Sequence, residues 1–291
     1  MVAPPAQPLL LALGVDHSGK ASRRLGSVAL VTYTFAMPVN VQEAFAPWRT
    51  KHARRAWKPV CVEGRAEGAR FGGSPSLAPG EQWPTCQSCR VPMQLFLQFP
   101  LTSLPPGFAH RGEGTLQVFY CSQDDGSCET WRPFSGSHVV RLLSGAAELV
   151  SHPLGLAPFP AQVIERWNEF VDYPHPEEQA ELGLVYDYDF AKKRVSVSSK
   201  EFGVALRDLD IDMNAAETIS NAEAGDKLGG WPLWIQSVEY PGCTQCGRRM
   251  ELVFQIDSED NIPHMFGDAG CGHVTRCPDH PQVLAFGWAC S

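Results

Sequence analysis

The strongest constraint on the fold of this chain is an internal repeat. Residues 72–98 align with residues 229–255 without a gap, at a constant offset of 157, and nine of the 27 aligned positions are identical. The identical residues form a Gly-Gly-x-Pro turn, a later proline, a Cys-x-x-Cys motif and an apolar run that carries Met, Leu and Gln. Self-similarity at a fixed offset indicates tandem duplication of one structural unit. We therefore expect two halves of ordinary domain size, 1–152 and 153–291.

Turn-forming residues are frequent, with 26 Gly and 24 Pro among 291 residues. Short apolar runs such as 27–33 and 115–120 lie between them and predict strands joined by hairpins and irregular loops. The chain is therefore expected to adopt an α+β fold that is internally duplicated, with a mainly antiparallel β-sheet, a few helices and CxxC loops that resemble zinc knuckles.

Three segments are candidates for helices. The segment 160–171 is predicted to be an amphipathic linker helix, because it starts with Pro and its apolar residues follow a helical period. These residues are Val163, Ile164, Trp167, Phe170 and Val171. The segment 41–57 is a second candidate, with two arginines near its end, where a helix C-terminus favours cations. The segment 214–227 is expected to be a short helix or a loop.

Charge and hydropathy limit the classes of partner. No run of about 18 apolar residues occurs, so no membrane-spanning helix is predicted. The apolar stretch 8–13 is too short for a signal peptide and has no Lys or Arg ahead of it, so we expect a cytoplasmic protein. The formal net charge is −8. This charge argues against direct binding to nucleic acid or anionic lipid, which requires clustered Lys and Arg, and is compatible with a basic protein partner.

The spacing of the cysteines in the first half predicts a metal site. Cys86 and Cys89 form a CxxC motif, and Cys121 and Cys128 follow after 31 intervening residues. Two pairs of thiolates suit tetrahedral zinc, because a CxxC turn presents two sulfurs on one side of a loop and a second loop supplies the others. The six-residue gap in the second pair is longer than in a standard knuckle. Reduced structural thiols, a redox pair or another metal are therefore the alternatives.

The second half predicts a similar site with a different fourth ligand. Three cysteines occupy the equivalent positions: Cys243, Cys246 and Cys277. No cysteine aligns with Cys128, and His280 is favoured instead because Cys-x-x-His is a compact chelating step. Two other cysteines are alternative fourth ligands: Cys290 and Cys271.

Both sites would be closed, with four protein ligands each. Zinc catalysis needs an open coordination position for water, so one or two structural zinc ions are expected. A thioredoxin-like role would need the CxxC motif at a strand-to-helix junction, where the helix N-terminus lowers the thiol pKa. A strand is predicted after each CxxC motif instead. Metal binding would stabilise the turn-rich loops because it is coupled to folding.

The remaining motifs point to structure rather than to catalysis. No GxSxG, HExxH or SxxK motif occurs, and no catalytic residue is predicted. Gln98 and Gln255 are expected to be buried amides that hydrogen-bond to the backbone, and the two repeated methionines are expected to fill the core. Alternating aspartates at 187–189 and 208–212 would line one face of a strand, either as a solvated face or as a surface for calcium or a basic protein.

Several motifs also carry a family resemblance. They are WxExxDYP at 167–174, KLGGWP at 227–232, CxxCGxxMxLxxQID at 243–257, FGDAG at 266–270, CPDHP at 277–281 and WxC at 288–290. Together they resemble the C-terminal half of the bacterial YwqG-like proteins, a domain-of-unknown-function family. The resemblance extends over 160–291 and, more loosely, over 70–135.

The resemblance implies an internally duplicated α+β fold with antiparallel sheets and no established catalytic activity. Domains of the family are often regarded as immunity proteins of bacterial polymorphic-toxin systems, and only some members have paired CxxC motifs. A more distant similarity to the programmed cell death 2 proteins favours a role in protein binding or a chaperone-like function.

These observations lead to one functional expectation. The chain is expected to be a non-enzymatic, cytoplasmic, zinc-stabilised protein-binding module, and most specifically an immunity protein that neutralises a cognate toxin such as a nuclease effector. Its acidic charge would steer a basic toxin toward it. The alternatives are a chaperone or adaptor for another cytoplasmic protein, and an enzyme that depends on a metal or a thiol.

Overall fold

A computed structural model of the chain describes residues 39–64, 68–110, 112–123, 127–209 and 222–291. In this part of the chain, two α-helices accompany fifteen strands: α1 (Val39–His52) and α2 (Pro176–Gln179). The strands, in chain order, are β1 (Arg54–Glu63), β2 (Arg70–Phe71), β3 (Ser76–Leu77), β4 (Gln94–Pro100), β5 (Thr115–Tyr120), β6 (His138–Leu143), β7 (Glu148–Leu149), β8 (Gln162–Asp172), β9 (Val185–Asp189), β10 (Arg194–Ser199), β11 (Val204–Leu209), β12 (Lys227–Gly229), β13 (Glu251–Asp257), β14 (Cys271–Arg276) and β15 (Leu284–Ala289).

Ten strands of the described residues form one sheet, in the order β15-β14-β13-β12-β1-β8-β2-β4-β5-β6. Every strand pair in this sheet is antiparallel. The edge strands β15 and β6 contact each other, so the sheet nearly closes on itself like a barrel. A three-stranded sheet, β11-β10-β9, and the pair β3-β7 complete the strand pairing of this region. The predicted α+β fold with a mainly antiparallel sheet is confirmed.

The duplication is visible in the strand order. The series β2-β4-β5-β6 in the first half corresponds to β12-β13-β14-β15 in the second, and the long strands β1 and β8 lie between the two series. These long strands are exchanged: β1 pairs with β12 of the second half, and β8 pairs with β2 of the first. Strands of both predicted halves therefore hydrogen-bond into a single sheet.

The main hydrophobic core joins the two ends of this sheet. The rings of Phe71 on β2 and Phe254 on β13 are 5.8 Å apart, and those of Tyr120 on β5 and Phe286 on β15 are 5.9 Å apart. Because these strands are far apart in the strand order, the contacts require the sheet to curve until its ends face each other. Contacts between aromatic rings at such distances add to the stabilisation that burial provides.

Two smaller hydrophobic cores lie beside the CxxC turns, one in each repeat. Met93 and Met250 are 0% and 1% exposed there, which confirms that both are core residues. Cysteines make up much of each small core. Because cysteines fill part of each small core, the packing of the turns depends on these residues.

The repeated glutamines make the same contact in both halves. Gln98 Oε1 accepts a hydrogen bond from the Ser76 N–H at 3.0 Å, and Gln255 Oε1 accepts one from the Leu233 N–H at 2.8 Å. Both glutamine side chains are buried. The predicted role of these residues, a buried amide bonded to the backbone, is confirmed. The bond links the start of the repeat to its apolar strand.

The predicted linker helix over 160–171 is wrong, because residues 162–172 form β8. This strand pairs with β1 over ten residues, with a bulge between Ile164 and Arg166 that leaves Glu165 outside the register. A bulge adds one residue to a strand and changes which face the following side chains occupy. Ile164 and Trp167, three residues apart, consequently contact the same core. Their spacing imitates the period of a helix.

The predicted helix over 41–57 is correct only in its first part. α1 ends at His52, and Arg54 and Arg55 lie on β1 instead of at a helix C-terminus. Other basic residues occupy the last turn of α1. The backbone of β1 bonds to β8 along its whole length, and local propensity does not reveal such long-range pairing.

Two of the predicted segments fall partly or wholly outside the described residues. The expected strand over 27–33 lies outside them, as do residues 214–221 of the segment assigned to a short helix or a loop. The remaining residues of that segment, 222–227, lead into β12. The predicted strand over 115–120 is confirmed as β5.

A buried ion pair fixes the entry to β12. The Lys227 ammonium donates to Asp172 Oδ2 at 2.9 Å and to the Glu223 carbonyl at 2.6 Å, and both charged side chains are buried. Asp172 also accepts the N–H groups of Trp231 at 2.8 Å and Glu223 at 2.9 Å. Burial lowers the pKa of Lys227, and the neighbouring Asp172 carboxylate offsets this only in part. Asp172 therefore joins the end of β8 to the Gly-Gly turn.

Replacement of Gly230 by Ala is expected to lower the free energy of unfolding by about 2–4 kcal/mol. Gly230 has φ +75°, and an added Cβ would overlap Asp172 Oδ2 and lie 2.9 Å from Ala56 Cβ. Gly183→Ala is the control, because Gly183 has φ +79° but open space around its Cβ position. Gly183→Ala should lower the free energy of unfolding by only about 1 kcal/mol, the conformational cost of a left-handed alanine. Equal losses for the two variants in urea denaturation would contradict the proposed overlap.

Candidate metal centres

Four cysteines of the first repeat converge on one point, and we call them the N-terminal cluster. Cys89 Sγ lies 3.5 Å from Cys121 Sγ. Cys128 Sγ lies 3.8 Å from Cys86 Sγ and 3.9 Å from Cys121 Sγ. All four sulfurs are within 4.8 Å of one another. The structure thus brings together the four residues that the spacing singled out in the first half.

A tight turn and a strand ladder place these sulfurs. The Cys86 N–H donates to the Val91 carbonyl at 2.9 Å, and the Arg90 N–H donates to the Cys86 carbonyl at 3.0 Å. The chain therefore reverses, and the two cysteines of the motif share one loop. Arg90 has φ 64°, a left-handed conformation that closes the turn. Cys121 follows β5 directly, and β5 pairs with β4, the strand after the turn.

The C-terminal cluster consists of Cys243, Cys246, Cys277 and His280. His280 Nδ1 lies 3.7 Å from Cys243 Sγ and 3.6 Å from Cys277 Sγ. Cys246 Sγ lies 3.7 Å from Cys277 Sγ. The four ligand atoms are again within 4.8 Å of one another. Histidine thus occupies the place that Cys128 holds in the first repeat.

The same turn recurs in the C-terminal cluster. The Cys243 N–H donates to the Arg248 carbonyl at 2.8 Å, and the Gly247 N–H donates to the Cys243 carbonyl at 2.8 Å. Gly247, with φ 71°, occupies the position of Arg90. The His280 N–H also donates to Cys277 Sγ at 3.4 Å, which holds the Cys-x-x-His step in a compact form.

Each cluster contains one cysteine with a lowered thiol pKa. Burial raises the pKa of Cys86, but hydrogen bonds from the backbone N–H groups of Cys89 and Ser88 outweigh it and bring the pKa to about 6. The pKa of Cys243 likewise falls to about 6, because backbone N–H groups of the turn outweigh its burial. Burial raises the pKa of Cys121 well above its usual range. The turns therefore stabilise a thiolate, the form that binds metals.

Both clusters could hold a metal ion. Each presents four possible ligand atoms on loops that the sheet anchors. Three of the four side chains are buried in the N-terminal cluster, and two are buried in the C-terminal cluster, where Cys246 is exposed. Three other cysteines lie outside them. Cys271 is buried and donates to the Ile256 carbonyl at 3.6 Å, Cys290 lies beside Gly267, and Cys61 lies on β1. Neither alternative fourth ligand, Cys290 or Cys271, belongs to the C-terminal cluster.

The predicted acidic strand faces are only partly described. Asp187 and Asp189 lie on β9, where Asp187 is exposed and Asp189 Oδ2 accepts from Lys192 Nζ at 2.7 Å. The side chain of Asp208 and residues 210 and 212 lie outside the described part of the chain. The described carboxylates thus form a solvated strand face, and neither belongs to a cluster.

The sequence-based reasoning did not anticipate one aromatic contact. Trp131 and Trp288 are related by the repeat offset of 157, and their rings are 6.5 Å apart at an angle of 84°. The Trp288 N–H also donates to the Trp131 carbonyl at 3.2 Å. The shared offset was the available signal. It marks neither a contact nor equivalent positions of the fold, because Trp288 lies on β15 whereas Trp131 precedes β6, the strand that corresponds to β15.

Comparison with known proteins assigns the chain to a family. In the described residues, no helix is both long enough and apolar enough to span a membrane. A search of curated proteins found no match to the chain. A family model described as a domain of unknown function, DUF1963, matches residues 69–278, which include all seven clustered cysteines and end two residues before His280. Because the match spans more than two thirds of the chain, the chain belongs to the DUF1963 family.

Proposed function

We propose that each cluster binds one zinc ion with a structural role. In a tetrahedral zinc site with bonds of about 2.3 Å to sulfur and about 2.0–2.1 Å to nitrogen, neighbouring sulfurs are about 3.8 Å apart and a sulfur and a nitrogen about 3.6 Å apart. The sulfur–sulfur distances of 3.5–3.9 Å and the sulfur–nitrogen distances of 3.6 and 3.7 Å agree with this geometry. Thiolate and imidazole are also the ligands that zinc prefers.

The observation that carries the proposal is that both ligand sets are complete. Each cluster supplies four protein ligand atoms, which leaves a tetrahedral ion no position for water or substrate. This supports a scaffold role and a non-enzymatic protein. An enzyme that uses zinc would need a free coordination position, and a dithiol oxidoreductase would need its CxxC pair at a helix N-terminus. Each CxxC turn precedes a strand here, β4 or β13.

The function proposed for this scaffold is the binding of a protein, in the role of a cytoplasmic immunity protein that neutralises a cognate toxin. Support comes from the resemblance of 160–291 to the YwqG-like proteins and from the net charge of −8, which would favour encounter with a basic toxin. A chaperone or adaptor is the alternative within the same class. It would bind several clients instead of one partner.

Co-purification with a protection assay tests the immunity role. Tagged full-length chain isolated from its native organism should retain one basic protein in equal amount. Expression of that partner alone should stop growth of a test bacterium, and co-expression of the chain should restore it. Several retained clients, none of them toxic, would favour the chaperone alternative. The absence of any partner, together with exchangeable metal at less than one ion per chain, would favour an enzyme.

The fourth ligand of the C-terminal cluster gives a sharper prediction. His280→Ala is expected to lower the zinc content of the purified chain from two ions toward one, because three ligands leave the site open to chelators. His280→Cys should keep both ions, because a thiolate occupies the equivalent position in the N-terminal cluster. Elemental analysis after incubation with a mild chelator measures the difference.

Cys290→Ser is the matched control for this prediction. Cys290 is near the end of the same half but outside the cluster, so its replacement should leave two zinc ions per chain. A loss of zinc from Cys290→Ser and not from His280→Ala would show that the fourth ligand is assigned to the wrong residue.

A further inference from the structure

The two clusters differ in how well the fold covers them. In the N-terminal cluster every cysteine is buried or partly buried, and Cys89, the second cysteine of the CxxC motif, is only partly exposed. Its equivalent in the C-terminal cluster, Cys246, is exposed. The whole turn around it, residues 244–249, is also exposed. Equivalent ligands of the two repeats are therefore accessible to solvent to different extents.

The difference arises from the loop that follows the next hairpin. The connection from β5 to β6 comprises residues 121–137, whereas the connection from β14 to β15 comprises only residues 277–283. The longer loop contacts the CxxC turn of its own repeat: the Gln87 N–H donates to the Gly136 carbonyl at 3.1 Å. The Gln87 side chain also packs closely against Gly136. The shorter loop supplies His280 and returns to the sheet, and its CxxC turn stays exposed.

The exposed sulfur has a second sulfur within reach. Cys246 Sγ lies 3.7 Å from Cys277 Sγ, and Cys277 is 1% exposed. A disulfide bond is about 2.05 Å long, so the two sulfurs would have to approach by about 1.7 Å once a shared zinc ion had left. Cysteines that respond to oxidants are typically accessible thiolates beside a second, resolving cysteine. As zinc ligands, Cys246 and Cys277 would form such a pair.

Other contacts join the two loops that carry these sulfurs. Arg248 Nη1 donates to Asp279 Oδ1 at 2.7 Å and to Asp279 Oδ2 at 2.6 Å. Arg248 follows Cys246 by two residues, and Asp279 follows Cys277 by two residues. Below the loops, β13 and β14 are paired up to their ends. These contacts do not involve the ligand atoms, so they would keep the two sulfurs near each other after the metal has left.

We infer that Cys246 is a site of reversible oxidation by hydroperoxides, and that the C-terminal cluster releases its zinc ion on oxidation while the N-terminal cluster keeps its own. The inference rests on the proposed binding of zinc by both clusters and adds a regulation to it. The oxidation occurs once per chain and is reversed by thiols, so it differs from the turnover of a dithiol oxidoreductase.

The proposed reaction transfers two electrons from two sulfurs to one molecule of hydrogen peroxide. The Cys246 thiolate attacks a peroxide oxygen, the O–O bond breaks and hydroxide leaves, which gives a sulfenic acid at Cys246. The Cys277 thiolate then attacks that sulfur, the S–O bond breaks, a second hydroxide leaves and the disulfide forms. Two protons from the solvent convert both hydroxide ions to water. The zinc ion, left with Cys243 and His280, dissociates.

Release of zinc under peroxide tests the inference. Full-length protein loaded with two zinc ions is treated with hydrogen peroxide in the presence of a colorimetric zinc indicator. We expect about one ion per chain to be released at least about 5-fold faster than the other. Peptide mass spectrometry at that stage should find a disulfide between Cys246 and Cys277 and reduced cysteines in the N-terminal cluster. Dithiothreitol and fresh zinc should then restore both ions.

A matched pair of variants assigns the reactive sulfur. Cys246→His keeps a zinc ligand and removes the exposed sulfur, so the faster release should slow at least about 5-fold. Cys89→His makes the equivalent change in the N-terminal cluster and should leave the faster release unchanged. Elemental analysis before oxidation measures the zinc content of each variant. If Cys246→His holds only one ion, the disulfide found in the unmodified chain decides instead.

The outcomes separate this inference from the proposed function. Release of both ions at the same rate, or a first disulfide between any pair other than Cys246 and Cys277, would overturn the inference. The proposed zinc binding would stand in that case, provided that two ions are bound before oxidation. Fewer than two ions per chain before oxidation would contradict the proposed zinc binding itself, and the inference would fail with it.

Discussion

Cys121→Ser is expected to lower the free energy of unfolding by at least about 3 kcal/mol and to reduce the zinc content from two ions per chain to one. Structural zinc contributes about 10–16 kcal/mol of binding free energy in small zinc-dependent domains, and this energy is coupled to folding. Serine does not replace a thiolate ligand, so much of that coupling is lost in the N-terminal cluster. Three of the four cysteines also form part of the small core beside the cluster, so the packing of the loop depends on them as well.

Cys61→Ser is the matched control for the loss of a cluster ligand. Cys61 is half-buried on β1 and belongs to neither cluster, so its replacement should cost about 1 kcal/mol or less and leave both zinc ions in place. Urea denaturation and elemental analysis of the two variants provide the comparison. Similar stabilities of Cys121→Ser and Cys61→Ser would mean that the N-terminal cluster contributes no metal-dependent stability.

Asp172→Asn is expected to lower the free energy of unfolding by about 3–5 kcal/mol, because it leaves a buried ammonium without its counter-charge. The pair with Lys227 is 0% and 1% exposed, so solvent does not screen it. Lys58→Met is the control. Lys58 and Glu223 are 2.7 Å apart, but their side chains are 40% and 52% exposed, and such a pair contributes about 1 kcal/mol or less.

The pH dependence of the same variants checks the cause. Burial already lowers the pKa of Lys227 in the native state, and loss of Asp172 should lower it further. Between the lowered native pKa and the unfolded pKa of about 10.4, the unfolded chain then binds more protons than the folded chain, so stability rises with pH in that window. The loss in Asp172→Asn should therefore shrink as pH rises toward about 10. A loss that is independent of pH would point to the missing N–H contacts rather than to the unpaired charge.

The sequence predicts which residues come together in the two clusters because the repeat presents the same turn twice. Cys86 and Cys89, aligned with Cys243 and Cys246, identify the CxxC turns, and one hairpin after each turn brings the next cysteine to its cluster. These contacts are close in the chain and depend on local geometry. The choice of His280 as the fourth member of the C-terminal cluster likewise needed only a three-residue step, and the structure places His280 beside Cys277.

The errors arise where long-range pairing decides the structure. The bulge at Glu165 gives β8 a helical spacing of apolar residues, and only the pairing with β1 makes it a strand. The same pairing makes residues 54–57, which were expected to end a helix, the first part of β1. No local pattern shows that the sheet curves enough to bring Trp131 to Trp288.

X-ray absorption at the zinc edge, combined with elemental analysis of the full-length chain, tests the central claim most directly. The proposal predicts two zinc ions per chain, with sulfur at about 2.3 Å and, on average, one nitrogen for every seven sulfurs. Seven cysteines and one histidine, His280 of the C-terminal cluster, would supply the ligands. Oxygen ligands from water, or fewer than one zinc ion per chain, would contradict it. Either result would favour a catalytic or redox role for the cysteine clusters.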